Sequence, residues 1–259
     1  LVSSSAASDV YKRQTPDMGW LDPISTMTFV AACTETLKLG SSVMILPYRM
    51  PVQTAKQIAS LDVLSEGRTI LGVGVGWMKE EADVLNMPFD QRGKRSNEQL
   101  EIFHRLFTEQ EPSFDGEFYS IPKVGFEPKP LQTPFPIWVG GSSPAAFRRV
   151  ARYGQAFHAA FQKPETVAEE WAAVQRECEK IGRDPGELTL SLRVYLDPAA
   201  AMEPEKSVGG SKDQMLEMIA TLAGIGVSHI MLDPVARGGV QGRLDALTEF
   251  MEDVAPAAA

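Results

Sequence analysis

The sequence predicts an α/β fold in which parallel strands alternate with helices. Three observations carry this. Short apolar, β-branched runs recur near residues 43, 70, 137, 157, 191 and 229. Each is followed by sequence of helical period, and the intervals suit crossover connections rather than tight turns. Two architectures satisfy the pattern: an open doubly wound sheet, or an eight-stranded barrel with two strands absent from the chain. The regular pattern begins with a helix, after fourteen residues of different character. That favours the barrel, a (β/α)8 TIM barrel lacking its first two strands and first helix.

The opening residues 1–14, "LVSSSAASDVYKRQ", are small, polar and aperiodic, without the regions of a signal peptide. They are read as non-native or disordered sequence, and one incomplete barrel domain is expected over 15–259. "DPISTMTFVAACTETLKLG" has Asp22 as N-cap, Pro23 at the first helical position and Gly40 as terminator. "SSVMILPY" (41–48) reads as a buried strand. Residues 51–67 form a helix opened by Pro51, with Ile58, Leu61 and Leu64 on one face. "TILGVGV" is the next strand, followed by helices around 78–86 and 90–109 and a hairpin turning at Asp115-Gly116.

Further on, "FPIWVGG" is a strand and "SPAAFRRVARYG" a short helix closed by Gly154. "QAFHAAF" and "ELTLSLRVYL" are strands, separated by an amphipathic helix that ends at Gly182. A helix capped by Ser211, the strand "VSHIML" and a last helix complete the chain.

Composition excludes several classes. The formal charge of −9 gives a nucleic-acid role no electrostatic support. Cys33 and Cys178 lie far apart in helical sequence, and His104, His158 and His229 stand isolated, so neither a disulfide framework nor a structural zinc site is expected. No apolar stretch is long enough to span a bilayer. A reducing cytoplasm, a small organic substrate and a homodimer are the expected setting.

Two glycine motifs follow strand ends. Gly72, Gly74 and Gly76 alternate in "LGVGVGW" but do not give G-x-G-x-x-G, and residue 96 falls in a helix where a dinucleotide fold needs a strand ending in an acid. The glycines either allow a sharp turn into the helix or leave room for a flat ring. In "IWVGGSSPAAFRR", Ser142 or Ser143 caps a helix with Pro144 first. Its free N–H groups make an anion site or an ordinary capped turn.

The stretch "LGSSVMILPYRMPVQTAKQIASLDVLSEGRTILGVGVGWMKEEADVLNMPFDQRGKR", with "GEFYS" and "PIWVGG", resembles the bacterial luciferase-like superfamily of flavin and deazaflavin oxidoreductases. It is most similar to the branch that uses the deazaflavin F420, and the resemblance runs through about 43–154. It implies a barrel with its cofactor at the C-terminal mouth: F420, with FMN as the alternative. By position, Ser42-Val43 falls where such enzymes hold a non-proline cis peptide beneath the ring. Gly74 and Val75 match positions beside the ring and phosphate side chain, and Gly140, Gly141 and Ser142 the phosphate-binding turn. Luciferases proper place an arginine where Val75 stands, so that contact is absent here.

The resemblance further implies roughly 40–50 upstream residues, by the usual size of βα units. They would carry the catalytic group, so the fragment is expected to be inactive as written. The expected function is hydride transfer from reduced F420 to a small organic substrate. Alternatives are an FMN-dependent monooxygenase and a non-catalytic barrel binding a phosphorylated ligand or a partner subunit. Among other residues, Arg92 and Arg95 reach an anion or pair with Glu80, Glu81 or Glu98, the latter favoured. Trp77, Tyr48 and Arg49 wall a pocket or pack locally. His158 is read as structural and His104 as packed on the core.

Overall fold

The computed structural model describes residues 21–235 and 238–258. The reading of residues 1–14 as foreign lies outside them. The chain divides into two compact units, one ending at Pro136 and the other starting at Ile137.

In the first unit, α1 (Pro23–Cys33) starts as expected, with the Asp22 carboxylate accepting from the Ser25 amide at 3.0 Å. It stops seven residues before Gly40. Thr34 turns to extended backbone, and its hydroxyl donates to the Val30 carbonyl at 2.8 Å. The Arg68 guanidinium closes this end by donating to Ala31 O (3.0 Å), Leu37 O (2.8 Å) and Thr34 Oγ1 (3.1 Å). The expected strand 41–48 is broken into β1 (Leu39–Gly40), β2 (Met44–Ile45) and a 3-10 turn (Leu46–Tyr48).

Helix α2 (Pro51–Leu64) buries Ile58 and Leu61, whereas Leu64 is exposed. It leads to β3 (Thr69–Gly74), with which β1 and β2 both pair in parallel. Asp62, wholly buried, accepts from the amides of Leu131 (2.8 Å) and Gln132 (3.1 Å) and from Gln132 Nε2 (2.7 Å), tying a distant loop to α2. Helices α3 (Lys79–Val84) and α4 (Arg92–Thr108) follow, α4 burying Leu100, Ile102, Phe103 and Leu106. The hairpin pairs β4 (Phe114–Asp115) with β5 (Ser120–Ile121). Its loop is longer than a two-residue turn. The Glu98 carboxylate accepts from the amides of Glu117, Phe118 and Tyr119 at 2.7, 3.0 and 3.1 Å.

The second unit runs β6 (Ile137–Gly140), α5 (Pro144–Tyr153), β7 (Ala156–Ala160), α6 (Pro164–Lys180), β8 (Thr189–Asp197), β9 (Ser207–Gly209), α7 (Lys212–Ile225), β10 (Val227–Pro234) and α8 (Gly239–Glu249). Its strands are parallel in the order β6-β7-β8-β10, with β9 added beside the end of β8. Phe157, Leu190, Leu192, Val194 and Leu196 fill its core. The Ser211 cap is part of a reciprocal capping box with Gln214. Three-residue β9 is too short to show a period, and the sequence reading missed it.

Every long-crossover strand pair within these units is parallel, as the alternation of strand and helix requires. Among the described residues, no helix is long and apolar enough to cross a membrane, and no group of His, Cys, Asp or Glu is arranged to hold a metal ion.

Candidate functional site

The candidate residues of the first unit meet at a bulge. Gly40 pairs with Ile70 and Met44 with Val73, so this edge carries one residue more than the β3 stretch it faces. Within the bulge the Ser42–Val43 peptide is cis, at the position named from the resemblance. Ser41 Oγ donates to the Gly72 carbonyl at 2.8 Å.

The three alternating glycines make this packing possible. A Cβ on Gly72 would strike the Ser41 carbonyl oxygen, and one on Gly74 would lie 2.7 Å from Val43 Cγ2. One on Gly76, whose φ is +80°, would lie 3.0 Å from Ile45 Cγ2 and 3.1 Å from the Tyr48 hydroxyl. The space expected for a flat ring beside the glycines is therefore filled by residues 41–48 of the chain itself. Ser42, Val43, Gly74 and Val75 are brought together and half-buried.

A cleft of about 850 Å³ lies against β2 and the segments that follow β2 and β3. Val43, Met44, Ile45, Met78, Val84 and Leu85 give it an apolar wall, while Tyr48, Arg49, Glu80 and Glu81 supply polar groups. The Tyr48 hydroxyl donates to the Met78 carbonyl at 3.2 Å. Burial, then the nearby Glu81 carboxylate, push its pKa up to about 12, so the phenol stays protonated. Arg49 is ion-paired with Asp22 at the N-terminus of α1. Tyr48 and Arg49 thus do both things the sequence left open: they pack locally and line the cleft.

The arginine expectations need correction. Arg92 donates to Gly76 O (3.1 Å) and Phe89 O (2.8 Å) and stacks on the Phe89 ring, while Arg95 donates to Gln91 and lies over Phe118. Glu98, one of the three expected partners, is committed to the hairpin amides. His104 is exposed rather than packed on the core. Trp77 is 41% exposed.

In the second unit, Gly140 ends β6 and pairs with His158. Gly141 takes a φ of +119°, a conformation that glycine adopts readily. Ser143, not Ser142, is the N-cap of α5, accepting from the Ala146 amide at 3.2 Å. Ser142 is left exposed, its oxygen accepting from Gln162 Nε2 at 2.6 Å, and the same nitrogen lies 3.2 Å from Glu170 Oε1. Pro144 has no N–H and the Ala146 and Phe147 amides are bonded to Ser143 Oγ and O, so what the turn presents is the Ser142 hydroxyl beside an amide and a carboxylate.

His158 is structural, as expected. Its Nδ1 lies 3.0 Å from Ser191 Oγ, and burial, then the charge of Arg193, lower its pKa to about 4. A second group escaped the sequence reading. Arg193 pairs with Asp233 at 2.6 Å and lies over Phe161, which stacks on Tyr195 at 4.4 Å between centroids. Period two in "SLRVYLD" puts Ser191, Arg193, Tyr195 and Asp197 on one strand face, the signal that could have found it.

Comparison with known proteins agrees with this picture. The profile of the family described as luciferase-like monooxygenase matches residues 6–205. An uncharacterised protein of Mycobacterium tuberculosis is 44% identical over 123 residues, 48% of this chain and 42% of that one. The FMNH2-dependent dimethylsulfone monooxygenase of Pseudomonas putida is 38% identical over 119 residues, covering 44% and 32%. The F420-dependent glucose-6-phosphate dehydrogenase of Kineococcus radiotolerans is 30% identical over 186 residues, covering 68% and 55%. The chain thus spans about half, or less, of the length of these curated relatives. In fold it matches a solved F420-dependent secondary alcohol dehydrogenase with a TM-score of 0.81, over 94% of this chain and 86% of that one, at 17% identity.

Proposed function

The chain belongs to the luciferase-like monooxygenase family, and from that premise we propose that it is part of an oxidoreductase using reduced F420 to pass a hydride to a small organic substrate. The observation that carries this reading is the apolar cleft of about 850 Å³ lined by β2 and by the segments that follow β2 and β3. Its size is in the range of small-molecule and cofactor sites, and strand C-terminal ends are where α/β folds gather them.

Of the positions proposed for the ring, Ser42, Val43, Gly74 and Val75, Val43 lines the cleft; Gly140, Gly141 and Ser142, in the second unit, are proposed for a phosphate on the resemblance. Reduced F420, when bound, supplies a two-electron hydride donor. The chain's own residues shape the binding wall: Val43, Met44 and Ile45 exclude water, and protonated Tyr48 offers an oriented hydroxyl at its edge. The cofactor carries the difficult chemistry, and the protein binds and orients it.

The FMN-dependent monooxygenase of Pseudomonas putida among the relatives supports a second reading, oxygenation with reduced FMN. Titrating the full chain with F420 and with FMN, followed by visible absorbance and fluorescence, tests both. Saturable binding that is lost when Val43 is replaced by Trp is expected. Failure of either cofactor to bind would leave the reading of a non-catalytic barrel. With both bound and reduced, oxygen consumption identifies the monooxygenase and anaerobic oxidation by an organic acceptor the hydride donor.

A further inference from the structure

The charges that face the cleft of the first unit do not balance. Of the described residues lining it, Arg49, Glu80 and Glu81 are ionised. The Arg49 guanidinium is committed to the Asp22 carboxylate. Two further cations lie close by, and neither lines the cleft. Lys79 is paired with Asp83 at 2.6 Å. Arg92, whose charge reaches Tyr48, donates to Gly76 O and Phe89 O and stacks on the Phe89 ring. Among the described residues, Glu80 and Glu81 form no ion pair, so the charge left on the lining is negative.

Helical spacing sets these carboxylates beside an apolar surface. Val84 follows Glu80 by four residues, and Leu85 follows Glu81 by four. Leu85 caps α3, and its amide donates to Glu81 O at 3.1 Å, so the helical spacing holds to that point. Residues four apart on a helix are surface neighbours, one turn from each other. All four side chains line the cleft, and Val84 and Leu85 are exposed there. One wall of the cleft is therefore an apolar step with two carboxylates a helical turn away.

Resting on the reading of this cleft as the ligand site, we propose that its substrate is a small organic cation: an apolar body seated against Val84 and Leu85, with a positively charged nitrogen at Glu80 and Glu81. The same carboxylates turn organic anions away. Both glutamates are exposed, so water and salt screen the preference and keep it modest.

The test is calorimetric titration of the full chain at neutral pH with three probes of one shape: phenylbutylamine, phenylbutanol and phenylbutanoate. The amine should bind about threefold tighter than the alcohol, and the alcohol about threefold tighter than the carboxylate, with the gaps narrowing at high salt. Glu80→Gln combined with Glu81→Gln removes the charge and nearly keeps the shape. It should bring the three affinities within about twofold of one another and leave the alcohol unchanged. Leu85→Trp, at an exposed position, should weaken all three alike. Thermal midpoints verify that the variants are folded. Equal binding of the three probes, or a charge order that survives in the double Gln variant, overturns the preference and leaves the cleft as a ligand site. Binding of none of them, or binding that Leu85→Trp does not alter, means that the cleft is not the site, and the reading beneath the proposal fails with it.

Discussion

Val43 Cγ2 lies where a methyl group on Gly74 would approach it to 2.7 Å, so the side chain of one strand occupies the space vacated by a residue of the next. The glycine alternation of β3 is the imprint of the bulged neighbour. At Gly72 the intruder is backbone, the carbonyl of Ser41; at Gly74 it is a side chain. Backbone cannot be trimmed by mutation, whereas a valine can. Gly74→Ala should therefore destabilise the chain by about 1–3 kcal/mol, the usual cost of overpacking. Val43→Ala should recover part of that loss in the double variant. Gly72→Ala should cost more and should not be rescued by Val43→Ala. Chemical denaturation of the four variants checks this, and equal rescue at both glycines would refute it.

How much of this was legible beforehand depends on the range of the interaction. The Asp22 cap with Pro23, the Ser211–Gln214 capping box and the run of parallel strands are written in neighbouring residues, and the structure has them. The early end of α1 is not. Nothing near Cys33 announces a stop, because the group that gathers the freed carbonyls is Arg68, more than thirty residues away. Glu98 is likewise one of the three acids expected to pair with an arginine, yet its carboxylate is used by three amides of a hairpin loop. The glycines announced a close approach but could not say of what. In the second unit, the serine doublet left the cap undecided between Ser142 and Ser143 until the Ala146 amide assigned it.

Arg68 should behave as a fastener for α1. It donates to Ala31, Thr34 and Leu37 and also to Ser65 O at 2.7 Å, a fan that the planar guanidinium can span and an ammonium cannot. Arg68→Ala is expected to cost about 1–2 kcal/mol, with partly buried acceptors left unpaired. Arg68→Lys should recover little of it. Hydrogen exchange should show the last turn of α1 opening first in both variants, and protection there equal to wild type would contradict the assignment.

Tyr48 stays protonated across the ordinary working range, since burial and then Glu81 hold its pKa at about 12. Its hydroxyl donates to Met78 O, so Tyr48→Phe leaves that carbonyl without this donor and should cost about 1 kcal/mol of stability. The substitution should not change the shape of the pH profile for ligand binding to the cleft between pH 6 and 10. A limb in that range present in wild type and missing in Tyr48→Phe would mean that the phenol ionises there.

His158 sets a pH dependence of stability with a definite sign. Burial, then the positive charge of Arg193, lower its folded-state pKa to about 4, while the unfolded chain should titrate near the ordinary 6.5. Between those values the unfolded state binds the extra proton. The stabilisation from a neutral His158 is therefore fully present above about pH 6.5 and is lost as the pH falls toward 4, by about 3 kcal/mol in all. His158→Gln keeps a polar partner for Ser191 Oγ, 3.0 Å from the ring nitrogen in the native chain, and has no proton to take up. The variant should be less stable than wild type at pH 7.5, and its unfolding free energy should fall less steeply from pH 6.5 to 4. Parallel stability curves for the two proteins over that range would show that the imidazole is not the titrating group.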